Sequence, residues 1–171
     1  MNLQEALSTA IGFEHKVRDH YAQCMRKIAD PKGRKIFETL AKEEQGHVTY
    51  LETRLSEWKK TGMVEDAELP TILPPAARVD LEVKKLKLKA GHVPTAPNPE
   101  MEFLKQALEL ERTTSAFYGG LFDQLEPRFR HMFERFLEIE QGHVLIVQAE
   151  IDALAGLGHW FDFMEFTLEG A

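Results

Sequence analysis

The pentapeptide Glu-Gln-Gly-His-Val stands twice in this sequence, at 44–48 and at 140–144. Each copy holds a carboxylate and an imidazole three residues apart, Glu44 with His47 and Glu140 with His143. On an α-helix, positions i and i+3 lie about 60° apart around the axis and about 4.5 Å apart along it, so both side chains can reach one ion. Each pair also has a glutamate upstream on a separate helical segment: Glu14 precedes Glu44 by 30 residues and Glu111 precedes Glu140 by 29. Four glutamates and two histidines in matched halves are a ligand set for two metal ions.

Charge leads to the same reading. Carboxylates on inward helix faces are strongly unfavourable without cations, because burial and mutual repulsion both oppose ionisation. Two divalent ions neutralise Glu14, Glu44, Glu111 and Glu140, while His47 and His143 ligate as neutral imidazoles. An oxygen and nitrogen shell without thiolate suits iron, manganese or zinc, and two iron ions are the expectation. Tyr21 and Tyr118 follow Glu14 and Glu111 by seven residues, nearly two turns, and share their faces. They read as buried aromatics whose hydroxyls bond and orient a nearby carboxylate.

The elements that must position these groups are four amphipathic helices in two similar hairpins. The copies read IFETLAKEEQGHV at 36–48 and MFERFLEIEQGHV at 132–144, an agreement too long for chance. Apolar residues recur at three-four spacing over about 3–28, 33–58, 100–125 and 127–154, with each candidate ligand on the apolar stripe. Asp30 to Gly33 breaks the first hairpin, Pro127 opens the last helix, and Gly156 and Gly158 end it. Between 60 and 100 six prolines interrupt the pattern, and Asp80 to Lys89 is the one stretch fit for a short helix. The expected fold is all-α: a single domain, residues 1–171, forming an antiparallel four-helix bundle of two hairpins joined by a long crossover. The tail at 156–171 is too apolar to be a free arm and is expected to pack on the bundle or on a second subunit.

With these motifs in place, the chain resembles the ferritin-like superfamily and, within it, the rubrerythrin-type proteins. The likeness rests on Glu14 with Tyr21, Glu44-Gln45-Gly46-His47, Glu111 with Tyr118, and Glu140-Gln141-Gly142-His143. It covers both hairpins and leaves the connector and tail unmatched. It implies that Glu44 and Glu140 bridge two metals, that Glu14 and Glu111 are terminal ligands, and that His47 and His143 cap one metal each. One turn after the third-helix glutamate, where rubrerythrins carry a further carboxylate, this chain has Thr114. It also has no rubredoxin-like domain, so an electron donor is expected to be a separate molecule.

Composition narrows the function classes. A 43% hydrophobic, 29% charged chain is ordinary for a globular domain, and nothing approaches eighteen uninterrupted apolar residues. No export segment is recognisable at the N-terminus, and a cytoplasmic protein is the expectation. A net charge of −7 argues against nucleic-acid partners, and the short basic run at 84–89 reads as a solvated face. Cys24, the single cysteine, excludes an internal disulfide or a four-cysteine centre and reads as packing rather than as a reactive thiol. His15, His20, His92, His131 and His159 lack a duplicated carboxylate partner, and Trp58 and Trp160 read as packing. Gly46 and Gly142 each cost about 1 kcal/mol relative to alanine inside a helix. Close helix approach is the favoured reason, and a widened substrate pocket the second.

Three functions fit this constellation. The first is a di-iron oxidoreductase that reduces peroxide or dioxygen with an external electron donor, working as a homodimer. The second is ferroxidase chemistry coupled to iron storage or delivery. The third is a non-redox bundle whose metals only stabilise the fold.

Overall fold

The computed structural model describes residues 1–65, 67–87 and 99–161, without the side chains of residues 86 and 87. Within them the protein is all-helical, with α1 (Leu3–Met25), α2 (Pro31–Thr61), α3 (Ala76–Lys87), α4 (Pro99–Leu121) and α5 (Pro127–Leu157). The helix ends are set by local chemistry. Asn2 and Glu5 form a reciprocal capping box at the start of α1, satisfying two backbone donors that lack intrahelical partners. Asp30 accepts from the Lys32 and Gly33 amides, and Pro31 sits in the first turn, where a missing N–H costs nothing. The residues expected to break the first hairpin therefore open α2. Gly62 and Gly158, with φ of 69° and 73°, end the two long helices in the left-handed conformation. Gly156 lies inside α5, and the helix expected to run to 125 stops at Leu121.

α1 packs on α2, α4 on α5, α1 on α4, and the connector helix α3 on α5. Late α1 meets early α4 where His20 faces the Phe103 carbonyl, late α4 meets early α5 at Tyr118 and Phe136, and late α2 meets early α5 at Trp58 and Phe129, so these neighbours run antiparallel. α4 begins beside the α1–α2 turn, where Glu100 accepts from the Ala29 amide at 2.8 Å. The connector thus carries the chain along the length of the bundle.

The core is split. One apolar cluster includes Val17, Tyr21, Phe37, Leu40, Leu104 and Val147. The other includes Leu7, Ala10, Leu51, Tyr118, Phe133 and Phe136. Between them lies a layer of buried polar side chains, so water is excluded from it at both ends. The tail enters the core at its described end: Trp160 and Phe161 are buried, with the Trp160 ring edge-on to Phe37 and its Nε1 donating to Glu100. The rest of the expected tail, 162–171, lies outside the described residues, as do His92 and the end of the basic run.

Candidate metal centre

Each of the four long helices contributes to the polar layer: Glu14 from α1, Glu44 and His47 from α2, Glu111 from α4, Glu140 and His143 from α5. All six are at most 1% exposed. His47 Nδ1 lies 3.2 Å from Glu14 Oε2, 3.1 Å from Glu44 Oε2 and 3.2 Å from Glu140 Oε1. His143 Nδ1 lies 2.8 Å from Glu44 Oε1, 3.6 Å from Glu111 Oε2 and 3.8 Å from Glu140 Oε1. Two ligand atoms about 2.1 Å from one ion and roughly 90–110° apart stand about 3.0–3.4 Å from each other. The observed spacings, 2.8–3.8 Å, straddle that range.

The six residues fall into two overlapping sets, Glu14, Glu44, His47 and Glu140 in one and Glu44, Glu111, Glu140 and His143 in the other. In each set the donor atoms lie within 4.8 Å of one another. Glu44 and Glu140 belong to both, the placement required of carboxylates that bridge two ions. The hydrogen bonding fits the same purpose. Both oxygens of Glu44, both of Glu140, Glu111 Oε2 and His143 Nδ1 are buried without a hydrogen-bond partner among the described residues. Buried polar atoms in a folded protein are almost always bonded, so this convergence of unpartnered oxygen and nitrogen atoms fits a cation.

The proton affinities in the metal-free site show the strain of this arrangement. Burial, with Glu44 close by, pushes the Glu14 carboxyl up to about 7 against the pull of His47. Burial and the carboxylates of Glu14 and Glu44 also raise Glu140 well above its ordinary range. At Glu44 burial acts upward but is outweighed by His143 and His47, and the carboxyl is held low. Burial opposes protonation of both imidazoles, yet the surrounding carboxylates, Glu44 foremost, raise them well above the ordinary value. Protons on these groups therefore offset the charge of the clustered carboxylates.

The tyrosines cross between the hairpins. Tyr21 of α1 donates to Glu111 of α4, and Tyr118 of α4 donates to Glu14 of α1. Each hydroxyl fixes one carboxylate oxygen and leaves the other toward the centre. Burial and the neighbouring carboxylates raise both phenols well above 10, so they remain protonated donors. Thr114 is buried and its hydroxyl donates to the Leu110 carbonyl of its own helix at 3.0 Å, so it has no part in the ligand sets.

Glu43 is a group that sequence reasoning missed. It is buried, accepts from the Thr71 hydroxyl and the Ile72 amide, and lies 4.0 Å from His47 Nε2. The signal was its position four residues before His47, on the same helix face. It ties the connector to the outer edge of the histidine and can steady the imidazole from behind. The remaining histidines lie elsewhere: His20 faces the Phe103 carbonyl, while His15, His131 and His159 are solvent-accessible. Cys24 is buried beside His20, and burial pushes its thiol up, away from nucleophilic behaviour. The close-approach reason for the repeated glycines does not hold, because a Cβ at Gly46 or Gly142 would meet nothing within 4 Å.

No family model, curated protein or solved structure matches this chain.

Proposed function

We propose that this protein is a di-iron oxidoreductase of rubrerythrin type on a ferritin-like four-helix bundle, reducing peroxide or dioxygen with electrons from an external donor. The observation that carries the reading is the pair of overlapping ligand sets sharing Glu44 and Glu140 inside a water-excluding core. Glu14 and Glu111 are then terminal ligands, and His47 and His143 complete one ion each through Nδ1. Hard oxygen donors with imidazole and no thiolate favour iron or manganese. Two ferrous ions held there would supply, one electron each, the two electrons that cleave the O–O bond of a peroxide; dioxygen would draw two more from the external donor.

The chain's own part is positioning and shielding. Tyr21 and Tyr118 hold Glu111 and Glu14 in place through hydroxyls that stay protonated. The two apolar clusters keep bulk water from the centre, which strengthens every charge interaction within it. Glu43 and the connector close the face between α2 and α5, where the His47 and His143 rings stack with centroids 5.3 Å apart. Among the described residues no helix is long and apolar enough to cross a membrane.

The test begins with elemental analysis of anaerobically purified protein, where two irons per chain are expected. Reduced protein should then consume hydrogen peroxide over many turnovers with a physiological reductant. A closed shell of many subunits by light scattering would transfer the centre to iron storage. Zinc at the site without any redox response to peroxide would make it a structural element.

A further inference from the structure

A cavity of about 160 Å³ opens between the connector and α5, with His143 in its wall. Thr71, Leu73, Pro74, Ile139 and Gly142 line it with His143. The segment at 71–72 is pinned to α2 through Glu43, and α3 packs on α5, so the connector forms its roof. At the mouth Arg135 and Glu138 pair with each other at 2.7 Å. Their charges cancel, which leaves no net attraction for a charged ligand.

Three features define the occupant. The first is size: a water molecule takes about 30 Å³ of liquid volume and an apolar cavity of about 150 Å³ admits benzene, so this space exceeds what hydrogen peroxide or dioxygen needs. The second is lining, which is mainly carbon between the Arg135–Glu138 mouth and the His143 wall. There His143 turns Nδ1 to Glu44, while its Nε2 is buried without a hydrogen-bond partner among the described residues. With Nδ1 as the ligand atom, Nε2 carries the proton.

The third is the glycine. The halves of the chain match at Gly46 and Gly142, yet Gly46 is exposed while Gly142 lines the cavity. A side chain at Gly142 would meet nothing within 4 Å and would gain helix propensity, so its absence keeps space open at a cost in stability.

We infer that this cavity binds the carbon skeleton of a compact, uncharged organic hydroperoxide, with Gly142 setting the size that is accepted. The inference rests on the peroxide-reducing reading and names its substrate class. In the reaction the O–O bond of the hydroperoxide breaks. Two electrons, one from each of two ferrous ions, and two protons are taken up, giving an alcohol and water.

Two measurements decide it. In manganese-loaded protein, the methyl resonance of tert-butanol, the alcohol product, should show saturable paramagnetic broadening. Gly142→Leu should abolish that broadening, and Gly46→Leu, with its side chain in open space, should retain it. In the second, fully reduced iron protein is mixed anaerobically with hydrogen peroxide or with tert-butyl hydroperoxide, and reoxidation is followed optically. The rate ratio of the organic to the inorganic peroxide should fall about tenfold or more in Gly142→Leu, less in Gly142→Ala, and stay unchanged in Gly46→Leu.

An unchanged ratio in Gly142→Leu, or broadening that survives it, overturns the cavity inference and leaves the peroxide reading standing. Wild-type protein that carries two irons and reacts with neither peroxide overturns both.

Discussion

Replacing Glu14 with glutamine should move the stability of the metal-free and metal-loaded protein in opposite directions. The Glu14 carboxyl is buried among Glu44, His47 and Glu140, and burial lifts it from 4.5 to about 7. The folded, metal-free protein thus holds this proton more tightly than the unfolded chain does. Below pH 4.5 both states are protonated and the group is neutral in its effect. Between pH 4.5 and about 7 the unfolded chain gives up the proton first, so the folded state loses stability. Above pH 7 the loss is complete. At about 1.4 kcal/mol per pH unit, the rise amounts to roughly 3 kcal/mol.

Glutamine keeps the shape and can still accept from Tyr118, but it carries no charge. At pH 8, in excess chelator, Glu14→Gln should be about 3 kcal/mol more stable than the wild type, on the order of 6–12 °C in Tm for a chain of this size. At pH 4 the difference should vanish. With manganese or ferrous ion present the order should reverse, because the variant loses a ligand and with it the stabilisation that binding confers. Urea unfolding at both pH values, with and without metal, provides all four comparisons. A variant less stable than the wild type in chelator at pH 8 would refute the claim that this carboxylate is held at a cost in order to bind a cation.

Glu44→Ala and Glu140→Ala should each lose both metals by elemental analysis, since each residue serves both ligand sets, whereas Tyr21→Phe should keep two per chain. Tyr21→Phe should still lower stability by about 1–3 kcal/mol in urea, because Glu111 is left with a buried oxygen that no hydroxyl satisfies. Metal affinity measured by competition should rise with pH by at least about one power of ten per pH unit up to about pH 7 and go on rising above it, because binding must displace the proton on Glu14 and those held by Glu140, His47 and His143 in the metal-free state. Gly33→Ala should destabilise by about 1–3 kcal/mol and shift the tryptophan fluorescence, because its Cβ would fall against the buried Trp160 ring.

Local patterns were legible in the sequence because they depend on one helix at a time. The i, i+3 spacing of Glu44 with His47 and of Glu140 with His143, the apolar stripes and the capping residues all follow from helix geometry. The exact helix ends were less legible: Asp30 reads as a breaker until its side chain is seen accepting from the Lys32 and Gly33 amides. Likewise a proline-rich connector reveals its length but not the surface it covers.

What the sequence by itself determined is which six residues face inward and that they come as two matched halves. Only the tertiary structure decided how the halves combine, because that depends on contacts between helices far apart in the chain. Tyr21 shares a face with Glu14, but seven residues of helix separate them by about 10 Å along the axis, so its hydroxyl bonds Glu111 across the bundle instead. Glu44 and Glu140 come into both ligand sets because α2 and α5 present them at the same level. The two glycines are equivalent in sequence and unlike in place, since the connector roofs a cavity beside Gly142 while Gly46 is left in solvent.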